Sequence, residues 1–200
     1  MRLMNKKALP ALVAAAALAV AGCGDDGSGS AASSAGGNGI DRAFVADMVA
    51  HHESAVEMAE IAQQRGESEF VKKLAGDIKK SQTAEIAVMR REDEALDTAG
   101  VKPTSLGVPE HKQGMDDDPA KLRTADPFDE AFLGMMIPHH EGAIEMAKVE
   151  LAKGSDPELK ALAQDIVDEQ ERELAEMRKH LGDDRSNDPS RAEHDVEHPG

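Results

Sequence analysis

Apolar positions along residues 40–181 recur with helical spacing, and the whole pattern occurs twice. In the first stretch Phe44, Met48, His51, His52, Ala55, Met58 and Ala59 fall on one face of a helix. A second stripe, Val71, Leu74, Ala75, Ile78, Ile86 and Met89, predicts a second helix. Gly66 reads as the C′ residue that closes the first helix, and Ser68 as the N-cap of the next. The pattern returns 88 residues later as Phe132, Met136, His139, His140, Ala143, Met146 and Ala147, then Gly154, then Leu162, Ile166 and Met177. Asp126-Pro127 and Asp156-Pro157 each read as an N-cap followed by proline at the first helical position. Two hairpins with one apolar stripe each can bury those stripes against one another. The expected fold is all-α, an antiparallel four-helix bundle with internal pseudo-twofold symmetry.

The two units, 41–91 and 129–181, align without a gap. Polar positions match as well as apolar ones: Asp41 with Asp129, Asp77 with Asp165, Gln82 with Gln170, Glu85 with Glu173 and Arg90 with Arg178. Agreement over this distance implies duplication of one structural unit. The bundle therefore spans 40–181, with a linker at 97–125 that holds Pro103, Pro109, Pro119 and three glycines. That linker is long for a bundle connection, and loops of such length are often functional.

The chain ends carry different signals. Arg2, Lys6 and Lys7 precede a short apolar run, residues 8–21, which fits a signal peptide better than a membrane span. It closes on Val20-Ala21-Gly22-Cys23, small residues before the sole cysteine, as in a bacterial lipobox. The expected organisation is a lipoprotein signal at 1–22, a lipidated Cys23 with a flexible tether to residue 39, and a disordered tail at 182–200. An exported protein anchored to the outer face of the membrane follows. An ordinary signal peptide with an incidental cysteine is the alternative. The formal charge of −16 argues against a nucleic-acid partner. With no Trp, no Tyr and four Phe, the core must be built from aliphatic residues and methionine.

The chemistry-bearing pattern is Met-x-x-His-His, present as Met48, His51, His52 and again as Met136, His139, His140. Met58 and Met146 lie one heptad beyond the first histidine of each pair. Each such residue has an ordinary reading as core packing. Four imidazoles on apolar faces must nevertheless all be satisfied, and a metal would satisfy them together. Thioether and imidazole donors suit copper, above all Cu(I); zinc would leave the methionines unexplained. Glu85 and Gln82, like Glu173 and Gln170, lie within the apolar stripes of the partner helices. They read as supports that hydrogen-bond a ligating histidine, as direct ligands, or as rim residues of a slightly rotated stripe. His111 and Met115 in the linker form a weaker, accessory pair. Pro138 should bend its helix near the second histidine pair. No P-loop, dinucleotide or Glu-x-x-His di-iron motif occurs in the helical part, and no catalytic motif is found.

The stretches DRAFVADMVAHHESAVEMA and FDEAFLGMMIPHHEGAIEMA resemble the two signature segments of the bacterial domain of unknown function 305 family. The resemblance covers about residues 41–181. It implies a ferritin-like bundle and, from its CopM-type members, an exported protein that binds Cu(I) through Met and His. Carried over residue by residue, it points to Met48, His51, His52, Met58, Met136, His139, His140 and Met146. Relatives often carry a Met-rich central loop, of which only His111 and Met115 are present here. A copper-handling protein would be the implied partner. Two further readings stay open: a metal-dependent oxidoreductase using the same pocket, and a non-metal helical interaction module whose buried histidines respond to pH.

Overall fold

The computed structural model describes residues 36–187, with side chains described to residue 182. The signal segment, Cys23, most of the tether and the segment 188–200 lie outside the described residues. Four helices carry the domain: α1 (Gly39–Arg65), α2 (Glu69–Thr98), α3 (Phe128–Lys153) and α4 (Pro157–Asn187). Two short 3-10 turns, Glu110–Lys112 and Pro119–Arg123, interrupt the connection between α2 and α3. Among the described residues there is no strand, and no helix is long and apolar enough to cross a membrane. The all-α four-helix bundle expected from the two hairpins is the observed fold.

Several local expectations change. α3 starts at Phe128, so Pro127 occupies the cap position and Asp126 supplies no side-chain cap. The Phe128 amide instead donates to Glu67 Oε1 at 3.3 Å, a partner from the other hairpin. The Asp156-Pro157 device does act as read: Asp156 Oδ1 accepts from Glu158 N at 2.8 Å and Leu159 N at 3.1 Å. Gly66 closes α1 with φ −49° and ψ 136°, not the left-handed geometry of a C′ glycine. The glycine is explained by space instead, because a Cβ there would stand 2.7 Å from the Ala62 carbonyl oxygen. α2 runs on to Thr98, past the unit boundary at Arg91. α4 continues through Gly182 to Asn187, where a disordered tail was expected to have begun, because the next proline is Pro189. The end of the tether is also fixed. Asn38 forms a capping box with Asp41 and donates to Lys153 O at 3.0 Å, while Gly36 O accepts from Ser155 Oγ at 2.6 Å.

Helix directions follow from a reciprocal exchange of aspartates. Asp41, at the start of α1, accepts from the amides of Ser155 at 2.9 Å and Asp156 at 2.8 Å, just before α4. Asp129, at the start of α3, accepts from Glu67 and Ser68, both at 2.8 Å, just before α2. The start of α1 therefore lies against the end of α3, and the start of α3 against the end of α1. The two helices are antiparallel, and the pseudo-twofold axis crosses them near their midpoints.

This arrangement explains the long connection. α2 ends beside the start of α1, where Thr104 N donates to Gly39 O at 2.9 Å. α3 begins beside the end of α1, where Arg65 donates to Leu122 O at 2.6 Å and Ala125 O at 2.9 Å. The chain must travel the length of α1, which is 27 residues, or about 40 Å at 1.5 Å per residue. The connection is thus a crossover strap along the bundle, as in ferritin-like topologies.

Candidate metal centre

The pseudo-axis passes between His51 and His139. Their ring centroids are 3.7 Å apart, and His51 and His52 are 6.2 Å apart. His51, His52, His139 and His140 are each no more than 1% exposed. Each adjacent pair points one ring toward the axis and the next toward the second helix of its own hairpin. There His52 Nε2 meets Glu85 Oε2 at 2.7 Å, and His140 Nε2 meets Glu173 Oε2 at 2.7 Å. Equal distances in the two halves reflect the duplication. His51 Nε2 has a partner that the duplication does not supply: it lies 3.0 Å from the main-chain carbonyl oxygen of Gln113, in the strap.

These bonds decide which nitrogens remain. A carbonyl or carboxylate oxygen can only accept, so the Nε2 atoms of His51, His52 and His140 carry the proton. The Nδ1 atoms of these three residues are buried and without a hydrogen-bond partner. Both ring nitrogens of His139 are also unpartnered. Burial pushes the His51 imidazole far down, to about 3, with repulsion from His52 adding to it. Burial also holds His139 well below the ordinary histidine value, followed by the influence of His51, His140 and His52. His51 and His139 therefore stand as neutral imidazoles, the state in which histidine binds metal. The buried, unpartnered ring nitrogens of His51 and His139 fit a soft cation, while among the described residues no group of three or more His, Cys, Asp or Glu side chains stands in metal-holding geometry.

The methionines divide into two sets. Met48 and Met136 are fully buried, three residues before the axial histidines, about 4.5 Å of helix rise away. Met58 and Met146 are also buried. They stand seven residues from the axial histidines, about 10.5 Å along the helix. Gln82 and Gln170 are 2% exposed, and neither amide has a hydrogen-bond partner. His111 and Met115 lie on the strap with exposed side chains. Pro138 sits inside α3, and the helix continues through it.

Two features escaped the sequence reading. One is the Gln113 carbonyl, a backbone atom that no side-chain pattern reveals. The other is Glu150, fully buried on α3 where the first unit has Ala62. Its position four residues after Met146 on the apolar face was the available signal. Burial, then neighbouring Asp41, pushes Glu150 up to about 8. Burial opposes ionisation of Asp41, but amide bonds from Asn38, Asp156 and Ser155 outweigh it and hold Asp41 below the usual carboxylate range.

With this geometry the comparisons are concordant. Residues 41–181 match the domain of unknown function named DUF305. The chain belongs to the DUF305 family. Solved structures of CopM resemble it over 72% of this chain and 96% of theirs: the Cu(I)-bound form at 31% identity and TM-score 0.60, and the Cu(II)-bound form at 32% and 0.62. A DUF305 protein from Streptomyces coelicolor, named as secreted, matches at 32% identity and TM-score 0.63, covering 72% of this chain and 92% of its own. An uncharacterised protein of Acanthamoeba polyphaga mimivirus is 45% identical over 49 residues, 24% of this chain and 32% of that protein. That match spans only about a third of the curated relative's length.

Proposed function

We propose that this DUF305 protein is an extracytoplasmic, lipid-anchored copper-binding protein that holds Cu(I) for tolerance or handover, without turnover. The observation that carries the reading is the set of buried, unpartnered imidazole nitrogens on the pseudo-axis. His51, His52, His139 and His140 are the nitrogen donors, and Met48 and Met136, three residues before the axial histidines, the thioethers. A bound copper ion would supply the electron-pair acceptor that these donors lack. Glu85 and Glu173 orient His52 and His140 and fix their tautomers. Met58 and Met146, buried one heptad from the axial histidines, are the more distant thioethers. His111 and Met115, being exposed, serve as accessory groups on the strap. Complete cover over the four imidazoles favours holding an ion over turning over a substrate. Copper-bound forms of CopM support the choice of metal. The apolar leader and Cys23 support export and anchoring.

The test is anaerobic Cu(I) titration of the mature chain with Cys23→Ser, without a histidine tag, followed by X-ray absorption. Wild type should bind tightly with mixed nitrogen and sulfur ligation. A His51→Ala/His139→Ala variant should bind far more weakly. Equal, weak binding by both proteins would refute the reading.

A further inference from the structure

We propose that the strap segment 107–115 is the gate of the histidine cluster, and that Gly114 and Gly142 set how fast a soft monovalent cation passes it. The proposal rests on the reading of the cluster as a metal site. His51, His52, His139, His140, Met48 and Met136 are all buried, so an ion can reach them only if some covering element moves. The helices that carry and flank the histidines share one hydrophobic core. Grooves between α2 and α4 reach Glu173 and Glu85, and a larger one of about 720 Å³ lies between the strap at His111–Gly114 and α3 at Pro138–Glu141. The Glu173 oxygen there is already engaged by His140.

The strap is held differently. On one side of the gate Leu106 is buried in the core, and on the other Arg65 clamps Leu122 and Ala125. Between these anchors, among the described residues, the single hydrogen bond to the helices is the one from His51 to the Gln113 carbonyl. Other bonds of the segment stay within the strap: Gly107 N to Ser105 Oγ, Lys112 N to Pro109 O, Gln113 N to Glu110 O and Gln113 Nε2 to Val108 O. Gly107 and Gly114 have φ of +75° and +70°, backbone geometry that favours glycine. Segments with few buried contacts and few bonds to the core open most readily.

Close backbone packing is what keeps the gate shut. A Cβ on Gly114 would stand 2.1 Å from Pro138 O, and one on Gly142 would stand 2.0 Å from Gln113 O. The first unit has Ser54 where the second has Gly142. The halves differ here because the strap crosses α3 and not the matching place on α1. Lifting the segment frees His51 Nε2 to water and uncovers His51 and His139 together. No bond is made or broken beyond hydrogen bonds.

Gly142→Ala tests the proposal, since alanine favours the helix while its methyl displaces Gln113. Stopped-flow uptake and release of Cu(I) and Ag(I), read with a chromophoric chelator, would be compared in wild type, Gly142→Ala and Ser54→Ala. Hydrogen exchange on the metal-free proteins would follow the amides of Lys112 and Gln113. In Gly142→Ala both uptake and release should be about tenfold faster, with equilibrium affinity changed much less and strap amides exchanging faster. Ser54→Ala should match wild type. Faster strap exchange with unchanged uptake would overturn the gate alone, placing the route elsewhere. Loss of binding in Gly142→Ala with intact helix content would also overturn it, making the strap part of the holding site. Absence of Cu(I) and Ag(I) binding by wild type would instead overturn the copper reading itself, and the gate with it.

Discussion

Acidification should weaken the metal-free fold through the axial histidines. His51 is 1% exposed and held at about 3 by burial, against about 6.5 in an unfolded chain. Between those values the unfolded state binds more protons, so this contribution to stability is complete above pH 6.5 and is lost as pH falls toward 3. At pH 5 the loss from His51 is about 2 kcal/mol, with His139 shifted in the same direction. The assay is urea unfolding at pH 7.5 and pH 5, with chelator present, of wild type and His51→Leu. Groups common to both proteins cancel in the comparison. Wild type should lose about 2 kcal/mol more than the variant over this interval. Parallel losses would refute the reasoning and show that the buried ring is protonated at little cost.

Glu150 predicts the opposite slope. Its neutral form is favoured up to about pH 8, so the stability it carries is complete below about pH 4.5 and falls as pH rises toward 8. Calorimetry of wild type against Glu150→Gln should show the wild type losing up to about 1.4 kcal/mol more per pH unit across that range. Asp129→Ala removes two amide bonds at the start of α2 and should destabilise by about 2 kcal/mol in chemical unfolding. A Met48→Leu/Met136→Leu variant should lose Cu(I) affinity in chelator competition while keeping zinc affinity, and Met58→Leu/Met146→Leu should change neither.

Much of this molecule was legible in its residues because duplication prints the same signals twice. Helical spacing identified the stripes, and the matching histidine pairs identified a shared centre. Glu85 and Glu173 were visible as carboxylates lying in apolar stripes, and their closeness to His52 and His140 follows from helix geometry. The direction of α3 relative to α1 was not legible. It depends on Asp41 and Asp129 reaching across to the other hairpin, a contact between residues more than 60 positions apart. Without that direction the length of the strap had no explanation. The Gln113 carbonyl could not be placed over His51 for the same reason. The start of α3 was misread because the Phe128 amide finds its acceptor, Glu67, in the other hairpin.

The reciprocal aspartates have a consequence beyond helix direction. Each hairpin offers the other the same surface: an aspartate at its first helix start and unpaired amides at its inner turn. Such an interface is isologous, the kind found in a C2 dimer. One hairpin alone therefore carries both halves of the lock. The domain is in effect a dimer covalently joined by the strap, and residues such as Glu150 and Gly142 mark where its two protomers have since diverged.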